Sequence, residues 1–295
     1  MAQAVGLGIQ MIDWTDPRFP ARLAAIPDPP PVLLLRGRPG ALEALSVAVV
    51  GSRAASPYAR EVAAWLGSEL AGRGVTVVSG LARGVDSAAH RGALTTGRTV
   101  AVLGSNVEIV YPPEHAALAE AVIQDGALVS EFPPWTGPRP GHFPQRNRII
   151  SGLVQAVVVV EASARSGSLI TARCELDQGR EVMAVPGSVF GARNRGSHTL
   201  LKDGAKVVEH ADDILEEIGG LVQCGPERAG ESAVSQDPLL ACLTVGDACN
   251  LDDLTERSGL DSATLLTRLL DLELQGVVRR VVGRSVRSRR RKVVT

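Results

Sequence analysis

The sequence is short of aromatic residues, of lysine and of cysteine, and each shortage excludes something. Nine aromatic residues make up 3% of the 295-residue chain. The core must therefore come from Val, Leu, Ile and Ala, and any role in stacking falls on few side chains. Three lysines occur among 31 basic residues, Lys202, Lys206 and Lys292, and the rest are arginine. This fits either genome composition or selection for bidentate phosphate contacts. The four cysteines, Cys174, Cys224, Cys242 and Cys249, form no C-x-x-C pair and have no histidine at ligand spacing. No structural zinc or other metal site is expected, and the chain reads as reduced and cytoplasmic. No apolar run approaches the roughly 18 residues that signal a membrane span. A basic stretch followed by an apolar core is also missing from the N-terminus, so no signal peptide is expected.

Catalytic signatures are missing too. There is no G-x-x-x-x-G-K-[ST] loop to cradle ATP and no G-x-S-x-G elbow for a serine nucleophile. The turn "GSRAAS" is not G-x-G-x-x-G: Arg53 stands where a dinucleotide needs a second glycine. The next strand ends in "VVSG", without an acid for a ribose hydroxyl. His90, His115, His142, His198 and His210 stand apart from one another. Glu131 and Glu161 at strand ends read as hydrogen-bond acceptors for glycine-rich turns rather than as general bases. No acid, base and nucleophile converge, so neither a catalytic residue nor a cofactor is expected.

The formal net charge of −1 hides a strong asymmetry. Residues 132–173 hold five arginines and one carboxylate, Glu161. Residues 203–261 hold fourteen carboxylates and three basic residues, and residues 279–292 hold eight basic residues and no acid. Separate surfaces with separate partners are implied.

Residues 1–45, rich in proline, read as an extended arm with one strand at 32–35. From Ser46 short apolar runs recur: "VAVV", "VTVV", "TVAVL", "ALVS", "AVVVVE", "EVMAV" and "AKVVE", with helical spacing between them. Continuous rather than alternating runs mark strands buried on both faces. Residues 46–218 are therefore expected to form a Rossmann-like, doubly wound α/β domain with a mostly parallel sheet, its ligand site outside the carboxyl ends of the strands. Residues 219–237 read as a linker. Residues 238–295 read as three short helices and a hairpin, the order of a winged helix, followed by a basic tail. The third of these helices carries Asp261, Asp271 and Glu273 against Arg268. A protein-contact module or a non-specific DNA holder is expected there rather than a reader of duplex sequence.

The strand-end turns are rich in Gly, Ser and Arg, which together suit a phosphate: small residues let backbone N–H groups approach and arginine adds a bidentate fork. In "HFPQRNRIISGL" Arg146 and Asn147 are expected in the first turn of a helix, where an anion would relieve the conflict between cations and the helix dipole. Arg53, Arg83, Arg146, Arg165 and Arg173 together point to a polyanion groove. Phe143 is the best-placed stacking residue, with packing in the core as the alternative.

In order and spacing, "VAVVGSR", "VVSGLARGVDSAAHRGAL", "GSNVEIVYPPEH", "SEFPP", "HFPQRNRIISGL", "VVVEASARSGSLITA", "VMAVPGS" and "GSHTLLKDGA" resemble the DNA-processing protein A family (DprA, also called Smf) over about residues 12–218. The resemblance implies a domain that binds single-stranded DNA, usually as a homodimer. It implies protection of incoming DNA in natural transformation and loading of the RecA recombinase, and no enzymatic activity. Its residues map onto Gly51-Ser52-Arg53, Arg146-Asn147 and Ser166-Gly167-Ser168. The expected DNA contacts are thus Gly51, Ser52, Arg53, Arg83, Gly84, Phe143, Arg146, Asn147, Arg148, Ser166, Gly167, Ser168 and Arg173. A dimer contact is expected on Ile214, Leu215 and Ile218, with packing on the chain's own sheet as the alternative. Many relatives carry a longer N-terminal helical domain, which leaves a shorter member or a truncated chain as the possibilities. The alternative function is that of a LOG-type nucleoside-monophosphate phosphoribohydrolase, with Glu175 after the small-residue turn "SGS".

Overall fold

A computed structural model of the chain describes residues 8–164, 166–169, 171–172, 180–219, 248–258, 260, 264–265, 268–269, 278–281 and 285–288. The chain divides into two compact units, Met1–Pro226 and Glu227–Thr295.

The larger unit is built on a nine-stranded sheet. Its strands are β1 (Ile9–Asp13), β2 (Val32–Gly37), β3 (Ser46–Val50), β4 (Thr76–Ser79), β5 (Thr99–Val102), β6 (Ala127–Ser130), β7 (Ala156–Val159), β8 (Glu181–Ala184) and β9 (Lys206–Val207). The order is β1-β2-β6-β5-β4-β3-β7-β8-β9. From β6 to β9 every pair is parallel, while β1 and β2 join antiparallel at one edge. The parallel part of the sheet starts at β3, winds outward to β6, then returns to lay β7 on the other side of β3. The gap between β3 and β7 is therefore the switch point at which the loops diverge and a ligand can enter.

Helices cover both faces: α1 (Ala21–Ala24), α2 (Pro57–Gly72), α3 (Val85–Ala93), α4 (Ala116–Asp125), α5 (His142–Leu153), α6 (Arg195–Lys202) and α7 (Ala211–Glu217). Because side chains alternate along a strand, Ala48 and Val50 face Ile149, Ile150 and Leu153 of α5, and Leu23 of α1 joins the same cluster. Val47 and Val49 face α2, α3 and Ile214 of α7. A third cluster joins Leu118, Ala119 and Val122 of α4 to Ala101 and Leu128. Burial on both faces is why these strands read as unbroken apolar runs.

The N-terminal residues do more than lie over the sheet. Leu33 and Leu35 enter the core on one face and Leu34 on the other, so β2 is a sheet strand, and β1 pairs with it from Ile9↔Arg36 to Asp13↔Val32.

In the smaller unit, β10 (Ala248–Asn250), β11 (Val278–Val281) and β12 (Ser285–Ser288) form an antiparallel sheet in the order β10-β12-β11. Helix α8 (Leu251–Ser258) follows β10, and residues 264–265 and 268–269 are helical. Leu254, Leu265 and Leu269 are buried. The helix expected in "PLLACLT", the linker beyond Gly219 and the basic tail from 289 lie outside the described residues. Among the described residues no helix is long and apolar enough to cross a membrane.

Candidate functional site

The turn Gly51-Ser52-Arg53 leaves β3 at the switch point and leads into α2. Pro57 opens that helix, and Ser56 caps it by accepting the Ala59 N–H at 3.1 Å. Glu161, buried at the end of β7, fixes the turn twice. Its backbone carbonyl accepts the Ser52 N–H at 2.7 Å and its carboxylate accepts the Ser56 N–H at 3.1 Å. This is the acceptor role read from its position in the sequence. The second turn, after β4, presses on the first. The Val85 N–H donates to the Ser52 carbonyl at 3.2 Å. Gly84 takes φ +82, and a Cβ there would stand 2.2 Å from the Ser52 oxygen. Gly51 is equally confined, since its Cβ would meet Val85 at 2.6 Å.

Arg53 is exposed, and its guanidinium carbon lies 5.0 Å from the centre of the Phe143 ring. Phe143 is half-buried in the first turn of α5. Its ring sits against Gly104 at the end of β5 and 5.6 Å from Tyr111, tilted at 42°. An exposed cation therefore lies over an aromatic face at the mouth of the crevice, worth about 0.5–1 kcal/mol when solvated. Tyr111, 39% exposed, extends that aromatic surface; it was not among the expected contacts. Its position after "GSNVEIV" at the end of a strand was the available signal.

Arg146 does something else. Helix α5 begins at His142, so Arg146 and Asn147 stand in its second turn, not the first. Pro144 is the reason: proline lacks an N–H and fits the first turn, where that group has no partner anyway. From there Arg146 turns inward. It is 4% exposed, donates from Nη1 to the Val102 carbonyl and lies against Gly80. Burial lowers its pKa to about 10, with nearby Asp86 opposing the shift and Arg53 adding to it. Asp86 is buried as well. Its Oδ2 accepts the Gly80 N–H at 3.1 Å, and burial raises its pKa against the pull of Arg146. Arg146 thus underpins the crevice instead of reaching out of it, and Asn147 is also buried.

Other expected contacts vary. Arg83 is exposed and paired with Glu114. Arg148 is tied to Glu131 and, at 3.0 Å, to Asp28; it lies away from the crevice mouth, two residues from Arg146 and so on another side of the helix. Ser166 and Ser168 share a hydrogen bond of 2.7 Å, and Gly167 between them is exposed. Arg165, Arg173 and Glu175 lie outside the described residues. Ile214 is fully buried in the core, and Leu215 and Ile218 lean on the same cluster. The described residues include no group of three or more metal-ligating side chains.

Residues 10–219 match the family model of the DNA recombination-mediator protein A, and residues 226–284 match the DprA winged helix domain. The chain belongs to the DNA recombination-mediator protein A family. It is 45% identical over 282 residues to protein Smf of Escherichia coli, covering 92% of this chain and 75% of that protein. It is 41% identical over 213 residues to DNA processing protein DprA of Bacillus subtilis, covering 72% of each. Among solved structures, DprA of Streptococcus pneumoniae superposes with a TM-score of 0.68 at 38% identity, over 73% of this chain and 77% of that one. DNA processing protein A of Helicobacter pylori, solved for its single-stranded DNA binding mode, gives a TM-score of 0.65 at 27% identity over 70% and 94%. Family membership brings with it the mostly parallel α/β sheet and the C-terminal winged helix, and it ties the chain to DNA processing in recombination.

Proposed function

We propose that the carboxyl edge of the sheet binds single-stranded DNA, and that the chain acts in recombination as a mediator that holds such strands rather than as an enzyme. The observation that carries the reading is the exposed Arg53 guanidinium over the half-buried Phe143 ring. A single strand needs a cation for its phosphates and an aromatic face for its bases; a duplex hides those bases from stacking. In the bound state a base takes the ring face, and the guanidinium moves to the adjoining phosphate, beside the Gly51–Arg53 turn. The family's H. pylori member, described for its single-stranded DNA binding mode, supports the same reading. By family resemblance the protein works as a homodimer in the cytoplasm, protects incoming DNA in natural transformation and passes it to the RecA recombinase.

The test is a titration of labelled oligo-dT and of a matched duplex at two salt concentrations. If about four phosphates are neutralised, log K falls against log salt with a slope near −3, from about −0.7 per phosphate. A flat salt response, or tighter binding of the duplex, would overturn the reading.

A further inference from the structure

Phe190 is the most exposed large apolar side chain among the described residues, at 88%, and its neighbour Val189 is 77% exposed. Both sit in the loop that joins β8 to α6. Leaving two such side chains in water forgoes burial that would otherwise stabilise the fold, and this loop is not slack. The Tyr58 hydroxyl donates to the Pro186 carbonyl at 3.2 Å, and Arg193 Nη1 donates to the Ala54 carbonyl at 2.6 Å. Asn194 Nδ2 donates to the Ser188 carbonyl at 3.2 Å, and the Phe190 N–H to Ser188 Oγ at 3.2 Å. The loop is thereby fastened to the same Gly51–Ala54 turn that carries Arg53, and it holds its apolar residues outward.

The charge around this loop selects the kind of partner. Arg193 and Arg195 are both exposed, and residues 186–202 contain no carboxylate. An aromatic ring beside exposed cations, at the carboxyl edge of a sheet, is the combination that stacks bases while tracking a phosphate backbone.

We propose that Phe190 is a second base-stacking platform, for a nucleobase of the same single strand that occupies Phe143, with Arg193 and Arg195 serving the phosphates between. The proposal rests on the single-stranded DNA reading given above and lengthens its path. Phe143 lies at the end of β5, and the order β5-β4-β3-β7-β8 separates it from the β8 loop by four strand spacings, about 19 Å at about 4.8 Å each. That distance spans about six nucleotides at the B-form rise of about 3.4 Å, more than a tetranucleotide reaches at that rise.

The experiment compares the full chain with Phe190→Ala and Phe190→Trp, using labelled dT4 and dT20, and Arg53→Ala as a control. The expected result is a loss of about 5- to 150-fold for Phe190→Ala on dT20, little change on dT4, and recovery in Phe190→Trp. Cross-linking of 5-iododeoxyuridine oligonucleotides should map to Phe190 as well as to the Phe143 region. If Phe190→Ala binds dT20 as the parent does, while Arg53→Ala fails, the platform is absent and the groove reading stands. Equal losses on dT4 and dT20 would also overturn the platform. So would a fall in molecular mass of Phe190→Ala by light scattering, since the patch would then be a contact between copies. Failure of the parent chain to bind dT20 would remove both readings together.

Discussion

The Arg146 guanidinium fills the space that Gly80 leaves by having no side chain: a Cβ on Gly80 would stand 2.1 Å from Nη1 and 2.5 Å from Cζ. The long side chain of Arg146 can move aside, but only by giving up the Val102 carbonyl and its place beside Asp86. Gly80→Ala and Arg146→Met should therefore each cost about 1.5–3 kcal/mol, the range for losing a hydrogen bond to a charged group. The double variant should cost scarcely more than either single one, because both remove the same interaction. Urea denaturation of the four proteins measures this coupling; full additivity would mean that the two residues act independently.

Arg53 and Arg146, both basic and both near strand ends, should separate cleanly. Arg53→Ala removes an exposed side chain and should leave the melting temperature nearly unchanged while weakening oligo-dT binding about tenfold or more. Arg146→Met should lower the melting temperature. Thermal melts alongside oligo-dT titrations read both effects, and a large drop in melting temperature for Arg53→Ala would assign it a structural role.

Glu161 offers a test of acceptor against base. Glu161→Gln keeps a carbonyl oxygen for the Ser56 N–H, so oligo-dT affinity should stay within about threefold of the parent. Glu161→Ala leaves that part-buried N–H without its acceptor, which costs up to about 1–3 kcal/mol. Loss of binding in the Gln variant with stability intact would show that the negative charge itself is needed.

Gly84→Ala should destabilise by about 2 kcal/mol or more. Its φ of +82 suits glycine, and the new methyl would meet the Ser52 carbonyl, which is backbone and cannot swing away. Gly40, with nothing within 4 Å of a built Cβ, is the control; Gly40→Ala should stay within about 0.5 kcal/mol. Equal melting temperatures for the two variants would show that the turn yields.

His90 makes the fold sensitive to acid. It is fully buried, and its Nδ1 meets Thr99 Oγ1 at 2.7 Å. That hydroxyl donates onward to the Val77 carbonyl, so His90 is the donor at Nδ1. Burial, then Arg146, His115 and Arg91, lowers its pKa from 6.5 to about 3. Between those values the unfolded chain binds a proton that the folded chain refuses. The contribution of His90 to stability is complete above pH 6.5 and declines as pH falls towards 3, by up to about 1.4 kcal/mol per unit. Asp86 acts in the opposite sense, because its raised pKa contributes stability that is lost as pH rises through the folded value. Comparing chain stability at pH 7 and 4.5 with that of His90→Gln isolates the histidine; the variant should lose less on acidification, and identical losses would mean that His90 is protonated in the fold.

Much of the sheet could be read from the chain because a strand buried on both faces must be apolar throughout, as β3 and β7 are. β1 could not, since Ile9–Asp13 borrows its place from β2 and leaves Met11 half exposed. Gly51-Ser52-Arg53 was legible because strand, turn and helix are contiguous there. The inward turn of Arg146 was not: it depends on the missing side chain of Gly80 and on Asp86, which come from another strand and helix. Nothing in "HFPQRNRII" distinguishes the buried Arg146 from Arg148, which Glu131 and Asp28 hold.

The antiparallel pairing of β2 with β6, from Leu34↔Ser130 to Gly37↔Ala127, has a bearing on how the chain behaves in company. β6 would otherwise end the parallel sheet as an open edge of four wholly buried residues, the kind of strand that recruits another chain. The N-terminal segment closes that edge and sets β1 outermost, where Gln10 and Asp13 interrupt the apolar pattern. At the opposite edge β9 is only two residues long, and Lys206 is one of them. Residues 9–37 are thus a built-in guard against self-templated aggregation as well as a part of the core, and a chain shortened past them would lose the packing of Leu23, Leu33 and Leu35 and open the β6 edge at the same time.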